Sequence, residues 1–369
     1  MSRVLGRRAL NRALLARQHL LERVSMPAFD MIERLVGMQA RAPRATYVAL
    51  WSRLSAFVPA ELEALVEERR VVRAAGMLRT TIHLVTADDA LAMRPVLQGV
   101  ASRGFLSGSP FGRQLEGLNV DEVIAAGHRL LDDGPMSTAE LGRGLQEQWP
   151  DRDAQSLAMA FRYLVPVVQV PPRGLWHRSA PPVLTTTEAW LGRRLVAESA
   201  PDAFVLRYLA AFGPASVADV GTWSWLRGLR PVIERLRPGL RIFRDENGRE
   251  LFDVPDGSLP DPETPAPPRF LPEYDNLLLS HKDRTRVTER DRKVPWPAGN
   301  GGVMGTFLVD GFTAGTWRIR REAGRATLTI TPWETVAAAD RAAVETESYG
   351  LLGFAADGME ADIRWADPD

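Results

Sequence analysis

The pattern of apolar and polar residues along the chain predicts the same order of elements twice. The segment GPMSTAE at residues 134–140 recurs as GPASVAD at residues 213–219. In each copy the glycine and proline end a preceding helix, the serine N-caps a new helix, and the acid three residues later completes a capping box. A helix, a tight turn and a capped second helix are typical of a helix-turn-helix motif, although any two helices can be joined in this way.

Each copy is followed by a pattern that predicts a further helix and a β-hairpin. After the first copy, the apolar run 165–170 leads to a glycine-centred turn at 171–178. After the second copy, β-rich runs at 240–244 and 250–254 flank Asn247-Gly248, and this dipeptide is a strong hairpin signal. Three helices followed by a hairpin predict two winged helices.

The two ends of the chain show different patterns. Residues 10–90 hold three helical segments followed by two strand-like runs, which predicts a third copy without the Gly-Pro signature. Residues 255–268 form a proline-rich linker that can adopt neither a helix nor a central strand. Beyond the linker, three strand-like runs between residues 305 and 332 precede a helix at 337–349. We interpret this last part as a small β-barrel or sheet domain.

These patterns predict an α+β fold, in which tandem winged helix-turn-helix modules precede a C-terminal β-barrel-like domain. The predicted segments are 1–115, an N-terminal winged-helix-like module; 116–190, a second winged helix; 191–255, a third winged helix; and 256–369, the linker and a C-terminal β-rich domain.

The composition limits the possible functions. The 369 residues, 45% hydrophobic and 25% charged, are typical of a soluble globular protein with two or three domains. The absence of cysteine excludes disulfides and thiolate metal sites and agrees with an intracellular location. Residues 1–18 alternate arginine with leucine and alanine, which predicts an amphipathic helix instead of a leader or a membrane span. We therefore expect a cytoplasmic protein.

The charge distribution qualifies the net charge. A net charge of zero argues by itself against a nucleic-acid-binding protein, because phosphate contacts need basic surface. Acidic residues elsewhere can, however, offset the total without covering a basic face. The basic residues cluster at two places, namely Arg7 and Arg8, and then Lys282, Arg284, Arg286, Arg290 and Arg292.

Several stretches resemble the AlkZ/YcaQ family of DNA glycosylases. They are LVGMQARAPR at 35–44 with 47–51 after it, LRTTIHLV at 78–85, PPRGLW at 171–176, FLPEYDNLLLSH at 270–281 with 283–287 after it, and GFTAGTW at 311–317. The resemblance runs nearly end to end. It implies a concave array of winged helices that embraces double-stranded DNA and works as a monomer without a cofactor, a metal or a membrane. It also implies removal of bulky N7-alkylated purines, including crosslinks, in DNA repair or in self-resistance to a genotoxic product.

The chemistry implied by this family follows from the charge of its substrate. Alkylation at N7 makes the purine cationic, so the base leaves without being protonated, and the enzyme has to hold a water against the sugar and stabilise an oxocarbenium-like transition state. The family uses a Gln-x-Gln or Gln-x-Asp motif for this task. In this chain Gln39 takes the first position and Arg41 the second, and an arginine has donors but no acceptor. Gln39 can still orient a water, whereas Arg41 is better suited to grip a phosphate.

Two further residues are candidates for the catalytic site. His83 shares one face of a predicted strand with Thr81, and the functional interpretation places both near Gln39. The alternative is a hydrogen-bonded histidine that supports the fold. No residues stand at a spacing typical of metal ligands. The predicted catalytic set is Gln39, Arg41, Thr81 and His83.

A second set of residues is expected to contact DNA. At the tip of the predicted first wing, arginines would reach the backbone or the minor groove, and Trp176 could wedge between bases or else pack on the core of its own module. For two of these candidates the alternative to DNA contact is a structural role. Asn276 could be a buried amide that supports the fold, and Arg79 could be the partner in an ion pair. The predicted DNA-binding set is Arg79, Arg173, Trp176, His177, Arg178, Asn276, His281, Lys282, Arg284 and Arg286.

Three classes of function remain compatible with the sequence. The first is a monofunctional glycosylase that excises N7-alkylated purines by water attack at the sugar. The second is a winged-helix protein that recognises damaged DNA or regulates transcription without cutting, and Arg41 favours it. The third is a scaffold for protein or small-ligand contacts, which agrees with the neutral net charge.

Overall fold

The computed structural model describes residues 3–197, 200–289, 303–356 and 358–368. Arg290 and Arg292, which belong to the predicted basic cluster, lie outside these residues. No helix in the described part of the chain is long and apolar enough to cross a membrane.

The N-terminal part begins with a helix that is covered on more than one face. The predicted amphipathic helix is present, but Arg12 and Arg17 within it are buried together with its leucines. Arg17 forms an ion pair of 2.6 Å with the buried Asp253, so this helix is fixed to a distant part of the chain. The elements of this part are β1 (Val4–Leu5), α1 (Arg7–Arg17), α2 (Ala28–Arg34), β2 (Met38–Gln39), α3 (Ala45–Trp51), α4 (Pro59–Glu67), β3 (Val71–Ala74), a 3₁₀ turn (Leu78–Thr80), β4 (His83–Thr86) and α5 (Ala87–Leu106).

The repeated sequence segment forms the two capped helices that were predicted. Ser137 accepts a hydrogen bond from the Glu140 backbone N–H, and the Glu140 carboxylate accepts one from the Ser137 N–H. Ser216 and Asp219 form the same reciprocal pair in the second copy, so both capping boxes are confirmed. The elements around them are α6 (Pro110–Arg113), α7 (Val120–Asp132), β5 (Met136–Ser137), α8 (Thr138–Gln146), α9 (Ala154–Leu164), β6 (Val167–Gln169), β7 (Val183–Thr186), α10 (Thr187–Leu191), α11 (Pro201–Phe212), α12 (Val217–Ser224), α13 (Leu229–Leu236), a 3₁₀ turn (Arg237–Gly239), β8 (Arg241–Asp245) and β9 (Glu250–Asp253).

The same strand pairing recurs three times along the chain. In each case a short extended segment between two helices pairs antiparallel with the second strand of the following hairpin: β2 with β4, β5 with β7, and Ala215 with Phe252 of β9. The hairpin β8–β9 has a short connection at 246–249, β3 and β4 are joined by residues 75–82, and β6 and β7 are separated by the longer segment 170–182. The first two hairpins join edge to edge in a six-stranded sheet with the order β2-β4-β3-β6-β7-β5.

The C-terminal part contains an open sheet, which corrects the predicted barrel. Its five strands have the order β10-β11-β12-β13-β14, and the two outer strands are not paired with each other. β14 pairs parallel to β13 after the long helix α15, whose buried side packs on the sheet. The elements are β10 (Arg269–Pro272), α14 (Asn276–Leu279), a 3₁₀ turn (Arg284–Arg286), β11 (Val303–Val309), β12 (Phe312–Glu322), β13 (Arg325–Pro332), α15 (Ala338–Ala355) and β14 (Glu360–Trp365).

A buried ion pair connects the C-terminal part to the N-terminal one. The guanidinium of Arg53, just after α3, donates to both carboxylate oxygens of Asp275 at 2.8 and 2.9 Å. The two side chains are 0% and 1% exposed. Asp275 also accepts the backbone N–H of Leu277 and so caps α14. The turn at residues 273–276 is therefore fixed against the N-terminal helices.

Candidate active site

Gln39 lies on a short strand that the neighbouring elements hold from both sides. β2 pairs with β4 so that Gln39 stands opposite His83 in the antiparallel register. Gly37 precedes the strand with φ +87°, and a Cβ at this position would come within 2.5 Å of the Val85 side chain, so only glycine fits here. The side-chain amide of Asn276 donates to the Gly37 carbonyl oxygen at 2.8 Å.

Arg79 brings a positive charge to the side-chain amide of Gln39. Its guanidinium donates to the Gln39 Oε1 at 3.2 Å and to the carbonyl oxygen of Trp223 at 2.7 Å. Burial lowers the pKa of Arg79 to about 10, with a further contribution from the charge of Arg284. Arg79 nevertheless stays protonated at neutral pH. The amide orientation of Gln39 is therefore fixed with its oxygen towards the arginine.

His83 lies opposite Gln39 with Thr81 next to the histidine, and the histidine is electrically neutral. His83 is fully buried, and burial followed by the charge of Arg79 holds its pKa well below the ordinary value. The Thr81 hydroxyl donates to the Leu78 carbonyl oxygen and lies 3.3 Å from the His83 Nδ1. His83 Nε2 has no hydrogen-bond partner among the described residues. A neutral buried imidazole cannot donate a proton as an acid near pH 7.

A small cavity of about 10 Å³ lies against Gln39. This volume is close to the minimum of ~10–15 Å³ that holds one water. We call it the water-sized cavity, and its polar lining residues are Gln39, Arg53, Glu273, Tyr274, Asp275 and Asn276.

The turn that closes the water-sized cavity is fixed by hydrogen bonds and has an unusual backbone. Glu273 donates its backbone N–H to the Met304 carbonyl oxygen at 2.8 Å, which extends the pairing of β10 with β11. Tyr274 follows with φ +61°, a conformation that costs a non-glycine residue free energy. Burial raises the pKa of Glu273, and the charge of Arg41 partly offsets this rise. The sequence analysis recognised this stretch but did not single out Glu273.

A larger cavity of about 460 Å³ opens next to the same turn. Glu273 and Tyr274 line both cavities, so they form the wall between them. Arginines dominate the larger cavity, which we call the basic cavity, and Arg41 is exposed there with its guanidinium 5.9 Å from the centre of the Tyr274 ring. Such a set of guanidinium groups favours an anionic ligand such as phosphate. The cavity is lined by His177 and by the charged residues Arg41, Arg44, Arg173, Arg178, Glu273 and Arg321.

The structure divides the predicted DNA-binding residues into a buried and an accessible group. Trp176 is 2% exposed and packs between Tyr47 and Phe354, with ring centres 5.0 and 5.2 Å away. Its indole therefore lies in a core shared with the C-terminal part instead of at a wing tip. Asn276 clamps the strand of Gln39, as described above. Arg79 is bonded to Gln39 and Trp223 and is largely enclosed. The accessible members are Arg173, His177, Arg178, Lys282 and Arg284.

His281 and Arg286 are buried beside Asp219. His281 is 2% exposed and bonds to Ser280 at 2.8 Å, and burial with the charge of Arg286 lowers its pKa to about 3. Arg286 donates to the Pro214 carbonyl oxygen at 3.1 Å. Asp219, the acid of the second capping box, also accepts the backbone N–H of Lys282 at 2.9 Å. These contacts attach the segment after α14 to the second copy of the repeat, and they give both residues a structural role.

Comparison with known proteins identifies the class to which this fold and site belong. The model of the AlkZ-like DNA glycosylase family matches residues 32–354, so the chain belongs to that family. Among solved structures, the DNA glycosylase AlkZ of Streptomyces sahachiroi is similar over 98% of this chain and 100% of its own, with a TM-score of 0.73 and 18% sequence identity. A search of curated protein sequences gives no match. At this identity the likeness to the solved structure shows the fold.

Proposed function

We propose that the protein is a monofunctional DNA glycosylase that hydrolyses the N-glycosidic bond of N7-alkylated purines in duplex DNA. The observation that carries this proposal is the setting of Gln39. Its amide oxygen has two lone pairs, of which Arg79 occupies one, and a cavity sized for one water lies against the residue. The remaining lone pair can accept a hydrogen from that water and orient it. Membership in the AlkZ-like family supports the reaction class.

The substrate itself supplies much of the driving force. The N7-alkylated purine is a cation, so the electron pair of the bond between N9 and C1′ neutralises the base as it leaves. Water attacks C1′ from the opposite side, and the sugar passes through an oxocarbenium-like transition state. A fixed amide dipole and an oriented water act on that transition state without having to reorganise. The neutral His83 adds no positive charge that would oppose the developing cation.

The basic cavity supports contact with the phosphates of double-stranded DNA. Arg173 and Arg178 line it together with Arg41, and Lys282 and Arg284 are accessible beyond the turn. Phosphate contacts position a protein on DNA without reading its sequence. We propose that the three repeated helix-and-hairpin units are winged helices in a concave array, and that the chain acts as a cytoplasmic, nucleoid-associated monomer. Removal of bulky adducts, including crosslinks, would serve DNA repair or self-resistance.

The proposal is tested on a duplex that carries N7-methylguanine. Purified protein is incubated with the duplex, and alkali then converts each abasic site into a strand break that a gel quantifies. Gln39→Ala is expected to lower the excision rate by about 10²–10³-fold, a loss typical of removing one oriented polar group at a reacting centre. Gln148→Ala, which changes an exposed glutamine after α8, is the control and should cut at the wild-type rate.

Arg41 favours a second function, namely DNA binding without catalysis. It replaces the second acceptor of the family motif and stands exposed in the basic cavity. Salt-sensitive binding to alkylated duplex with no abasic sites would support this second function and contradict the glycosylase proposal. An affinity for duplex DNA that does not depend on salt would contradict both.

A further inference from the structure

Glu273, in the turn at residues 273–276, differs from Asp275 and Asn276 because its side chain makes no contact that stabilises the fold of the described residues. Asp275 pairs with Arg53 and caps α14, and Asn276 clamps the Gly37 carbonyl oxygen. The carboxylate of Glu273, by contrast, has no hydrogen bond or ion pair to any residue in the described part of the chain, although the side chain is half-buried. A partly desolvated carboxylate without a partner costs stability, so it is expected where it serves a function.

The position of Glu273 relates it to both halves of the family motif. It lines the water-sized cavity together with Gln39, and it lines the basic cavity together with Arg41. Its backbone is held by the hydrogen bond to Met304 and by the strained Tyr274 that follows. Glu273 thus lines the same small cavity as Gln39, and its carboxylate interacts electrostatically with Arg41, the residue that has lost its acceptor.

We propose that Glu273 is the general base of this enzyme and supplies the acceptor that Arg41 cannot provide. This inference rests on the glycosylase function proposed above. The oxygen of the water held by Gln39 forms a bond to C1′ while the bond between C1′ and N9 breaks, and the electron pair leaves with the alkylated purine. The proton of the water passes to the Glu273 carboxylate, which later releases it to solvent. The products are the neutral N7-alkylpurine and an abasic sugar.

The surroundings of Glu273 suit this task. Burial raises its pKa, so the carboxylate is a stronger base than an exposed glutamate, and the nearby charge of Arg41 limits this rise and favours the ionised form. Arg41 thereby has a use at the second motif position. It cannot accept a proton itself, but it sustains the negative charge of the residue that does.

Glu273→Gln tests the proposal, because it removes the base and keeps the shape of the side chain. The single-turnover excision rate on N7-methylguanine duplex should fall by about 10²–10⁴-fold, which is the usual contribution of general base catalysis. The affinity for unmodified duplex should change by no more than about threefold, because no phosphate contact is removed. Glu68→Gln, which removes one negative charge from an exposed position after α4, is the matched control and should keep the wild-type rate.

The pH dependence gives a second measurement that does not need the variant to be active. The wild-type rate should decline as the pH falls through the raised pKa of Glu273, because the protonated acid cannot accept a proton. A wild-type rate without this acidic decline would overturn the proposal, even if Glu273→Gln proved unstable. Adding Arg41→Gln to Glu273→Gln restores an acceptor at the second motif position and should recover at least about tenfold of the lost rate.

The outcomes separate this inference from the proposed function. If Gln39→Ala is inactive while Glu273→Gln cuts within about threefold of wild type, Glu273 is not the base and the glycosylase function stands. If the wild-type protein releases no alkylated purine, both proposals are overturned.

Discussion

Replacing Asp275 with asparagine should lower the free energy of unfolding by about 3–5 kcal/mol, the usual effect of breaking a buried ion pair from one side. Asp275 and Arg53 are 1% and 0% exposed, and their two hydrogen bonds measure 2.8 and 2.9 Å. The other acceptors of the Arg53 guanidinium are the Ala49 carbonyl oxygen and the Gln18 amide oxygen, both uncharged. No other carboxylate in the described part of the chain lies within ion-pair distance of Arg53.

The magnitude depends on which contacts survive the substitution. Asparagine keeps one side-chain oxygen, so it can still accept the Leu277 N–H and cap α14. It loses the charge and one of the two bonds to Arg53, and each hydrogen bond to a charged group contributes about 1.5–3 kcal/mol. The larger part of the loss is the desolvated guanidinium that remains without a counter-ion.

Urea-induced unfolding followed by tryptophan fluorescence measures this loss as a change in midpoint at constant slope. Asp202→Asn is the matched control. Asp202 binds Arg235 with the same two-bond geometry, at 2.9 and 2.7 Å, but the two side chains are 26% and 57% exposed. Water screens that pair, so its loss should be far smaller. An Asp275→Asn effect no larger than that of Asp202→Asn would refute the role assigned to the buried pair.

Three further results are expected. The free energy of unfolding should fall as the pH drops below about 6.5, by up to ~1.4 kcal/mol per pH unit for each of His19 and His83. Burial lowers the pKa of both histidines in the folded protein, so the unfolded chain binds more protons in this range. A free energy of unfolding that stays constant between pH 7 and 5 in urea titrations would contradict this. Trp176→Ala should cost about 3–5 kcal/mol of stability, because it leaves a cavity at a buried site. An unchanged melting temperature in calorimetry would contradict this core role and favour a role in DNA binding alone. Arg178→Ala should weaken DNA binding and reduce the slope of log K against log salt by about 0.9, as loss of one phosphate contact does; an unchanged slope would exclude that contact.

The elements that could be predicted from the sequence are those with local causes. A capping box needs only a serine and an acid three residues later, and both predicted boxes are present. The Asn247-Gly248 hairpin likewise needs only its turn and flanking strands, and β8 and β9 pair around it. The barrel prediction was wrong because closure depends on whether β10 meets β14, and nothing in the local pattern of either strand determines that pairing.

The candidate site could be predicted only in part, for the same reason. Family resemblance brought Gln39, Thr81 and His83 forward, and the register of β2 with β4 sets Gln39 and His83 opposite each other. The sequence could not reveal that Trp176 is buried against Tyr47 and Phe354, because these three residues come from distant segments. Nor could it reveal that Arg79 reaches the oxygen of Gln39 through a 3₁₀ turn with φ +52° at the arginine itself.

Arg41 shows how sequence neighbours and spatial neighbours give different answers about catalysis. Along the chain, the arginine replaces the second acceptor of the motif, and no residue nearby in the sequence substitutes for it. In space, the turn at residues 273–276 brings a carboxylate to the cavity that Gln39 lines, more than two hundred residues away in the chain. An arginine beside a half-buried carboxylate favours its ionised form, whereas a second glutamine would leave burial to favour the protonated acid. The substitution at position 41 and a Glu273 carboxylate with no partner among the described residues therefore make chemical sense together, and each is hard to explain alone.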